Sequence, residues 1–346
     1  MSHSTTDVLP VSIMVPTRNS MDKLPANLAR HRELFASCAE IVHCDSHSDD
    51  QTKAFFAQQF SLHRNLRQID HPPGLYASWN HGLRHCTQPF TYISTVGDEI
   101  SAEGLIRLVR LAQETESDVV FSPPVFVNEE QKVVNDILWP VHKLIANHRI
   151  RSEGSISSTL VFAEAVLHAP DGILGSAASC LFRTEFLRSR PYPTEYYGAG
   201  DSVWALDNLL EARCAIIPSP ISTFLLHPKS YESNSALNTK IAILIRQFIR
   251  AKLQRLLEAD AIESASQADD ISRELIQQLH DYNEVRLSEA RWQREVVSHR
   301  RQAPRSWYFS PRAWSARYRR NQLRQHASLL TTLVRRSRSA SLSLLH

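Results

Sequence analysis

The feature that most constrains this chain is a pattern repeated through its first 120 residues: a short apolar run, a polar cluster, then a stretch with helical spacing. Val11-Ser-Ile-Met-Val15 reads as a strand closed by Pro16, which has no N–H to give a ladder. Glu40–Cys44, Leu66–Ile69, Phe90–Val96 and Asp118–Phe121 read as four further strands. Helical spacing fills the intervals at Leu24–Phe35, Thr52–Phe60, Leu75–His85 and Leu105–Glu114. This alternation predicts an α/β fold, a mostly parallel sheet between helices. Ligands of such sheets gather beyond the carboxyl ends of the strands, where the strand order reverses. The clusters Pro16-Thr-Arg-Asn19, Asp45–Asp50 and Gly97-Asp-Glu99 each follow a strand, so they are expected to share one crevice.

Several function classes are excluded early. There is no G-x-G-x-x-G and no G-x-x-x-x-G-K-[ST], which counts against a dinucleotide oxidoreductase and a P-loop NTPase. The five cysteines are an odd number with no C-x-x-C pair, so neither a disulfide framework nor a zinc knuckle is expected. No H-E-x-x-H spacing, Ser-His-Asp set or Cys-His set is legible. The first residues have neither a basic region nor an apolar one, and no run approaches 18 uncharged apolar residues. The expectation is a cytoplasmic protein whose membrane contact, where it has any, is peripheral on the inner face.

Past Phe121 the pattern loosens, with short strands at Ala215–Ile217 and Ile221–Leu226. From about Ala236 it becomes long helix, with an apolar stripe at Ile241–Ile245, Phe248, Leu253 and Leu256. Charge divides the chain in a way its net +3 conceals. Arg291 to His346 holds 13 Arg and one acid, Glu295, whereas residues 1–290 carry 26 basic and 35 acidic side chains. An acidic body therefore bears a basic tail suited to an anionic partner.

Three segments in order resemble the inverting family 2 glycosyltransferases of GT-A fold. Val11-Ser-Ile-Met-Val-Pro-Thr-Arg-Asn19 is similar to the family's opening strand. Asp45-Ser-His-Ser-Asp-Asp-Gln-Thr52 is similar to its Asp-Ser-Gly-Ser-Thr-Asp-Gly-Thr turn, and Tyr92-Ile-Ser-Thr-Val-Gly-Asp-Glu-Ile100 stands at its metal-binding Asp-x-Asp strand end. Gly74, Asn80 and Gly82 follow the family's spacing, as do Gly175, Phe182-Arg183, Gly200-Asp201-x-x-Trp204 and His227-x-x-Ser230. The resemblance spans about residues 9–235. It implies a catalytic domain over 9–235, with a nucleotide-binding half (9–121) and an acceptor half (122–235), followed by a helical, basic extension over 236–346.

The resemblance also implies roles. Pro16, Thr17, Arg18, Asp45, Ser46, Asn80, Gly97 and Asp98 would hold the donor nucleotide. Asp45 would accept from a base N–H; from spacing alone it reads equally as a turn or capping carboxylate. Arg18 either meets phosphate or lies in solvent, and Asp50 with Thr52 suits the start of the next helix. Asp98, Glu99 and His227 would meet a divalent cation, Mn²⁺ or Mg²⁺, or the diphosphate. The first Asp of Asp-x-Asp is missing, since Val96 and Thr95 stand there, and the other reading of Gly97-Asp-Glu99 is an exposed loop. Asp201 would be the general base of a single displacement, or a cap of a Val203–Ala212 helix, or both. Gly200 would let the acceptor approach closely, and Trp204 would stack on a sugar or pack behind the base.

The activity implied is transfer of a sugar from a nucleotide-diphospho sugar, UDP-linked in the first instance, to a glycan or lipid-linked acceptor in cell-surface polysaccharide synthesis. The missing Asp supports another reading, a degenerate domain acting as a binding or scaffold subunit. Residues 291–338 interleave Arg with Trp292, Trp307, Tyr308, Phe309, Trp314 and Tyr318. Such a mixture suits an anionic membrane surface, or packing on the body or a protein partner. Nucleic acid is disfavoured because no recognised nucleic-acid motif accompanies it.

Overall fold

A computed structural model describes residues 8–61, 63, 65–226, 235–259 and 272–302, with backbone alone for 235–236 and 295–302. Its strands in chain order are β1 (Leu9–Thr17), β2 (Cys38–Asp45), β3 (Leu66–Asp70), β4 (Phe90–Ile93), β5 (Glu99–Ile100), β6 (Val119–Phe121), β7 (Pro124–Val127), β8 (Gly154–Ile156), β9 (Cys180–Arg183), β10 (Cys214–Ile216) and β11 (Ser222–Leu225). Eight form one sheet in the order β3-β2-β1-β4-β9-β6-β10-β8, and β5-β11-β7 form a small second one. The pairs among β1 to β4, and β6 with β10, are parallel. β9 runs antiparallel to both β4 and β6, and β8 antiparallel to β10. The sheet is thus mixed in its second half.

Alternation along the strands explains the two-sided core. Val11, Ile13 and Val15 of β1 face one cluster with Ile41, Tyr92 and Val120, while Met14 faces the other with Val42, Ile93 and Phe121. The strand order reverses beside β1, with β2 on one flank and β4 on the other, so the switch point lies between β1 and β4. Because β9 is reversed, the residues that enter it, Ser176–Ser179, join the carboxyl ends of β1, β2 and β4 at the same edge.

Three boundaries differ from the sequence reading. Leu24–Phe35 is two helices, Leu24–Arg30 and Arg32–Ser37, broken at His31. The His31 ring bonds the Asn27 carbonyl through Nδ1 and accepts the Ile100 amide at Nε2, so the break ties this segment to β5. β4 ends at Ile93, and the chain then turns through Gly97, whose φ of 111° favours glycine. The helix expected at Val203–Ala212 runs from Gly200 to Asn208.

Helices Ser235–Glu258 and Arg273–Gln302 pack on each other and on helices Ser158–His168 and Gly200–Asn208. Ile245, Ile249, Leu253, Ile276, Leu279 and Tyr282 share one core with Val166, Leu167 and Trp204. Arg246 anchors the join. It is buried, and its guanidinium donates to the Val166 and Ala169 carbonyls at the C-terminal end of helix Ser158–His168, where a cation complements the helix dipole. Burial without a carboxylate partner lowers its pKa to about 10. Replacing Arg246 with Met strands those carbonyls and is expected to cost roughly 3 kcal/mol. Chemical denaturation checks this, and an unchanged midpoint would refute the anchoring role. No helix among the described residues is long and apolar enough to cross a membrane.

Candidate active site

The loops after β1 and β2 are polar because they bond each other. The Thr17 hydroxyl donates to Asp45 Oδ1 (2.8 Å), and Ser48 gives its hydroxyl to Oδ1 (2.7 Å) and its amide to Oδ2 (2.8 Å). The Asn19 amide donates to the Ser48 hydroxyl, and the Asn19 side-chain oxygen accepts the Asp49 amide. Asp50 accepts the amides of Met21 and Thr52, so it holds the start of helix Thr52–Gln59 as its position suggested. Pro16 is half-buried in β1, and Arg18 is exposed with no carboxylate partner among the described residues.

A relay behind Asp45 fixes its orientation. Gln68 Nε2 donates to His43 Nδ1 (2.9 Å), which leaves His43 Nε2–H to donate to the Thr17 hydroxyl (2.8 Å) and Thr17 to donate to Asp45. This order requires a neutral His43, and burial lowers its pKa from 6.5 to about 4. The stability it contributes is complete above pH 6.5 and is lost as pH falls towards 4, about 3 kcal/mol in all. Urea unfolding at pH 7 and 4.5 should show that share of acid sensitivity in the wild type and not in His43→Gln. An equal acid loss in both proteins would count against it.

Asp98 is buried rather than on an exposed loop. Thr95 (2.7 Å) and Ser176 (2.9 Å) donate hydroxyls to its Oδ2, and the Leu225 amide (3.1 Å) donates to its Oδ1. Burial outweighs these bonds and raises its pKa to about 6, with Glu99 adding to the rise. Ser176 arrives from the segment entering β9, and Leu225 from β11 of the small sheet.

Asp201 lies in the first turn of helix Gly200–Asn208, where Oδ1 accepts the Ser202 amide (2.7 Å). Burial raises its pKa, opposed by the Ser202 amide and the Tyr76 hydroxyl. Helix Leu75–Leu83 ties this region to the loop after β2. Its Ser78 hydroxyl bonds that of Ser46 (2.6 Å), and its Tyr76 ring fills the space beside Gly200. A Cβ on Gly200 would meet that ring and the Pro193 carbonyl at 2.5 Å. Gly82 of the same helix lies close on the sheet, where a Cβ would be 3.2 Å from Cys44 and Met14.

Residues 12–158 match the model described as glycosyl transferase family 2. Over that stretch the chain is similar to the family 2 glycosyltransferases. Solved structures similar to this chain in fold include TarS of S. aureus with UDP (TM-score 0.52, 18% identity, 78% of this chain and 69% of that one). TarS with UDP-GlcNAc aligns at 0.55 and 17%, over 80% and 72% of the two chains. The mannosyltransferase PcManGT from Pyrobaculum calidifontis, in complex with GDP-Man and Mn²⁺, aligns at 0.53 and 15%, over 94% and 85%. These likenesses show the GT-A fold. No curated protein matches the chain.

Four expectations need correction. The Asn80 amide is already committed: it clamps the backbone of Tyr192, donating to the carbonyl and accepting the N–H, both at 2.8 Å. Trp204 cannot stack on a sugar, because it is wholly buried and gives its indole N–H to the Arg190 carbonyl. Gly200 has an ordinary helical φ of −63°, and the close approach it permits is that of Tyr76 and Pro193, not of an acceptor. Glu99 is not aimed with Asp98: it pairs with Arg30 in a groove on other elements. His227 and residues 303–338 of the basic tail lie outside the described residues. Among the described residues no three His, Cys, Asp or Glu side chains form a group able to hold a metal ion.

The sequence reading missed Ser176, Tyr192, Tyr76 and Trp79 as parts of the site. The last two had a signal. Tyr76, Trp79 and Leu83 recur at helical spacing and are the buried stripe of helix Leu75–Leu83.

Proposed function

We propose that the protein transfers a sugar from a UDP-linked donor to a hydroxyl of a glycan or lipid-linked acceptor, with inversion and with Asp201 as base. The observation that carries this reading is the placement of Asp201. Its carboxylate, at raised pKa, lies across the segment Gly172–Ser179 from Asp98, and helix Leu75–Leu83 connects it to the Asp45 turn. Asp45 Oδ2 takes one described bond and retains capacity for a base N–H. UDP and UDP-GlcNAc are bound by the structural neighbour TarS, which supports a uridine donor.

The chemistry is one displacement. The acceptor O–H gives its proton to Asp201 as its oxygen bonds the anomeric carbon. The bond from that carbon to the diphosphate breaks, and the nucleoside diphosphate leaves with the electron pair. Asp98 would meet a divalent cation carried by the diphosphate, a mode in which one or two protein carboxylates suffice. Its burial charge, unsatisfied by three neutral donors, fits that role. Such a cation would offset the negative charge on the leaving group. Arg18 supplies further positive charge from the end of β1. The Arg-rich residues 291–338 would dock the enzyme on an anionic leaflet where lipid-linked acceptors reside.

Thermal melts with UDP, GDP, dTDP and CMP, each with and without Mn²⁺, test the reading. A ligand at a hundredfold its Kd stabilises by about 2.7 kcal/mol, enough to raise Tm by a few degrees. A rise with UDP alone, larger with Mn²⁺, is the expected result. No rise with any nucleotide would overturn it.

A further inference from the structure

Behind Asp201 lies a cavity of about 20 Å³, walled by Trp79, Gly172, Cys180, Phe182, Tyr192 and Trp204 among others. A cavity needs roughly 10–15 Å³ to hold one water, so this one admits a single oxygen-sized group. Most of its wall is apolar, and an apolar void of that size stays dry unless two or more polar groups face it. Here two do.

Asp201 is one of them, with its Oδ1 committed to the Ser202 amide. The other is Trp79. Its ring is 6% exposed and held edge-on by Tyr76 and Tyr192, and its Nε1–H finds no acceptor among the described residues. A buried indole N–H ordinarily has a partner, and one without demands an explanation. Cys180 does not compete for the space, since its thiol is directed to the Leu174 and Ser176 carbonyls. The wall is also rigid. Tyr192 is gripped by the Asn80 amide, stacks on Tyr76 and leans on Trp204, and the Trp79 ring packs edge-on against it.

We propose that the cavity is a one-oxygen site in which a bound water accepts a hydrogen bond from Trp79 Nε1–H and donates one to Asp201. Trp79 is then a positioning residue for the proposed base. The water holds the carboxylate from the core side, leaving its other side for the acceptor. A donor that polarises the water favours the ionised carboxylate. The titratable groups around Asp201 are Tyr76, Tyr192 and Cys180, all displaced upward by burial and therefore neutral; of these the Tyr76 hydroxyl favours the ionised carboxylate, and the water adds a further donor. This inference rests on Asp201 acting as the base only for its catalytic consequence; the water site stands without it.

The test replaces Trp79 with β-(3-benzothienyl)alanine, which keeps the bicyclic ring and puts sulfur where the N–H was, and separately with Phe. A high-resolution crystal structure of the metal-free wild type should show an oxygen within hydrogen-bond reach of both Nε1 and Asp201, and a dry cavity would overturn the site. The Asp201 carboxyl resonance, identified by its loss in Asp201→Asn, should titrate about one pH unit higher in both Trp79 variants. If it titrates as in wild type in the isosteric variant, the N–H has no positioning role. Transfer should fall about tenfold in kcat with little change in KM. Should Asp201→Asn retain full transfer, the base assignment fails while the crystal and titration results still decide the site.

Discussion

Asp201→Asn is expected to lower the transfer rate by about 10²- to 10⁴-fold, the usual worth of a general base, without lowering Tm. The amide oxygen of Asn still accepts the Ser202 N–H, so the first turn of helix Gly200–Asn208 keeps its bond. Burial already disfavours the ionised Asp201, and a neutral amide of the same shape removes that penalty. The variant therefore separates chemistry from folding. Initial rates with a labelled nucleotide sugar, alongside a thermal melt, provide the check. A variant that melts like wild type and transfers at the wild-type rate would eliminate Asp201 as base. The raised pKa also moves the acid limb of the wild-type rate profile above the pH range of an ordinary carboxylate.

Asp98→Asn is expected to act in the opposite sense on stability and binding. The Asp98 carboxyl titrates near 3.8 when unfolded and about 6 when folded. Its contribution to stability is therefore complete below pH 3.8 and is lost as pH rises through 6, a penalty of about 3 kcal/mol at neutral pH in the metal-free protein. Asn keeps an acceptor for the Leu225 amide and offers N–H groups to the Thr95 and Ser176 hydroxyls, which can turn to accept. Metal-free melts should show the variant overtaking wild type as pH rises from 3.8 to 6, the interval of about two units over which the penalty develops. Stabilisation by UDP with Mn²⁺ should disappear in the same variant. Retained nucleotide–metal stabilisation would show that Asp98 is structural alone.

The first half of the fold was legible because its signals are local. Each of β1, β2 and β4 is an apolar run followed within a few residues by its own turn chemistry, so the strand-end clusters could be placed before any tertiary information. The second half is governed by long-range pairing. Nothing near Cys180–Arg183 announces that β9 runs backwards between β4 and β6, yet that reversal delivers Ser176 to Asp98. The nucleotide role given to Asn80 and the stacking role given to Trp204 failed for a related reason, whereas the alternative that Trp204 packs in the core fits its burial. Motif spacing gives a residue's position in the chain, whereas the Tyr192 backbone and the Arg190 carbonyl that occupy them come from segments 112 and 14 residues away. Asp45 and Asp98 were found at the strand ends, but the relay from Gln68 through His43 depends on β3 lying against β2. Pairing of that kind leaves no local mark.

Helix Leu75–Leu83 has a consequence for which donors the crevice can take. Tyr76 and Ser78 are two residues apart and so point to opposite sides of a helix, one towards Gly200 and the other towards Ser46. The helix is a spacer whose width, about 10 Å, sets the gap between the Asp45 turn and the Gly200–Asp201 turn. Widening that gap means breaking the Ser46–Ser78 bond or unseating Tyr76 from Gly200. On the proposed function, a bulkier donor sugar would be met by trimming side chains along the crevice rather than by widening that gap.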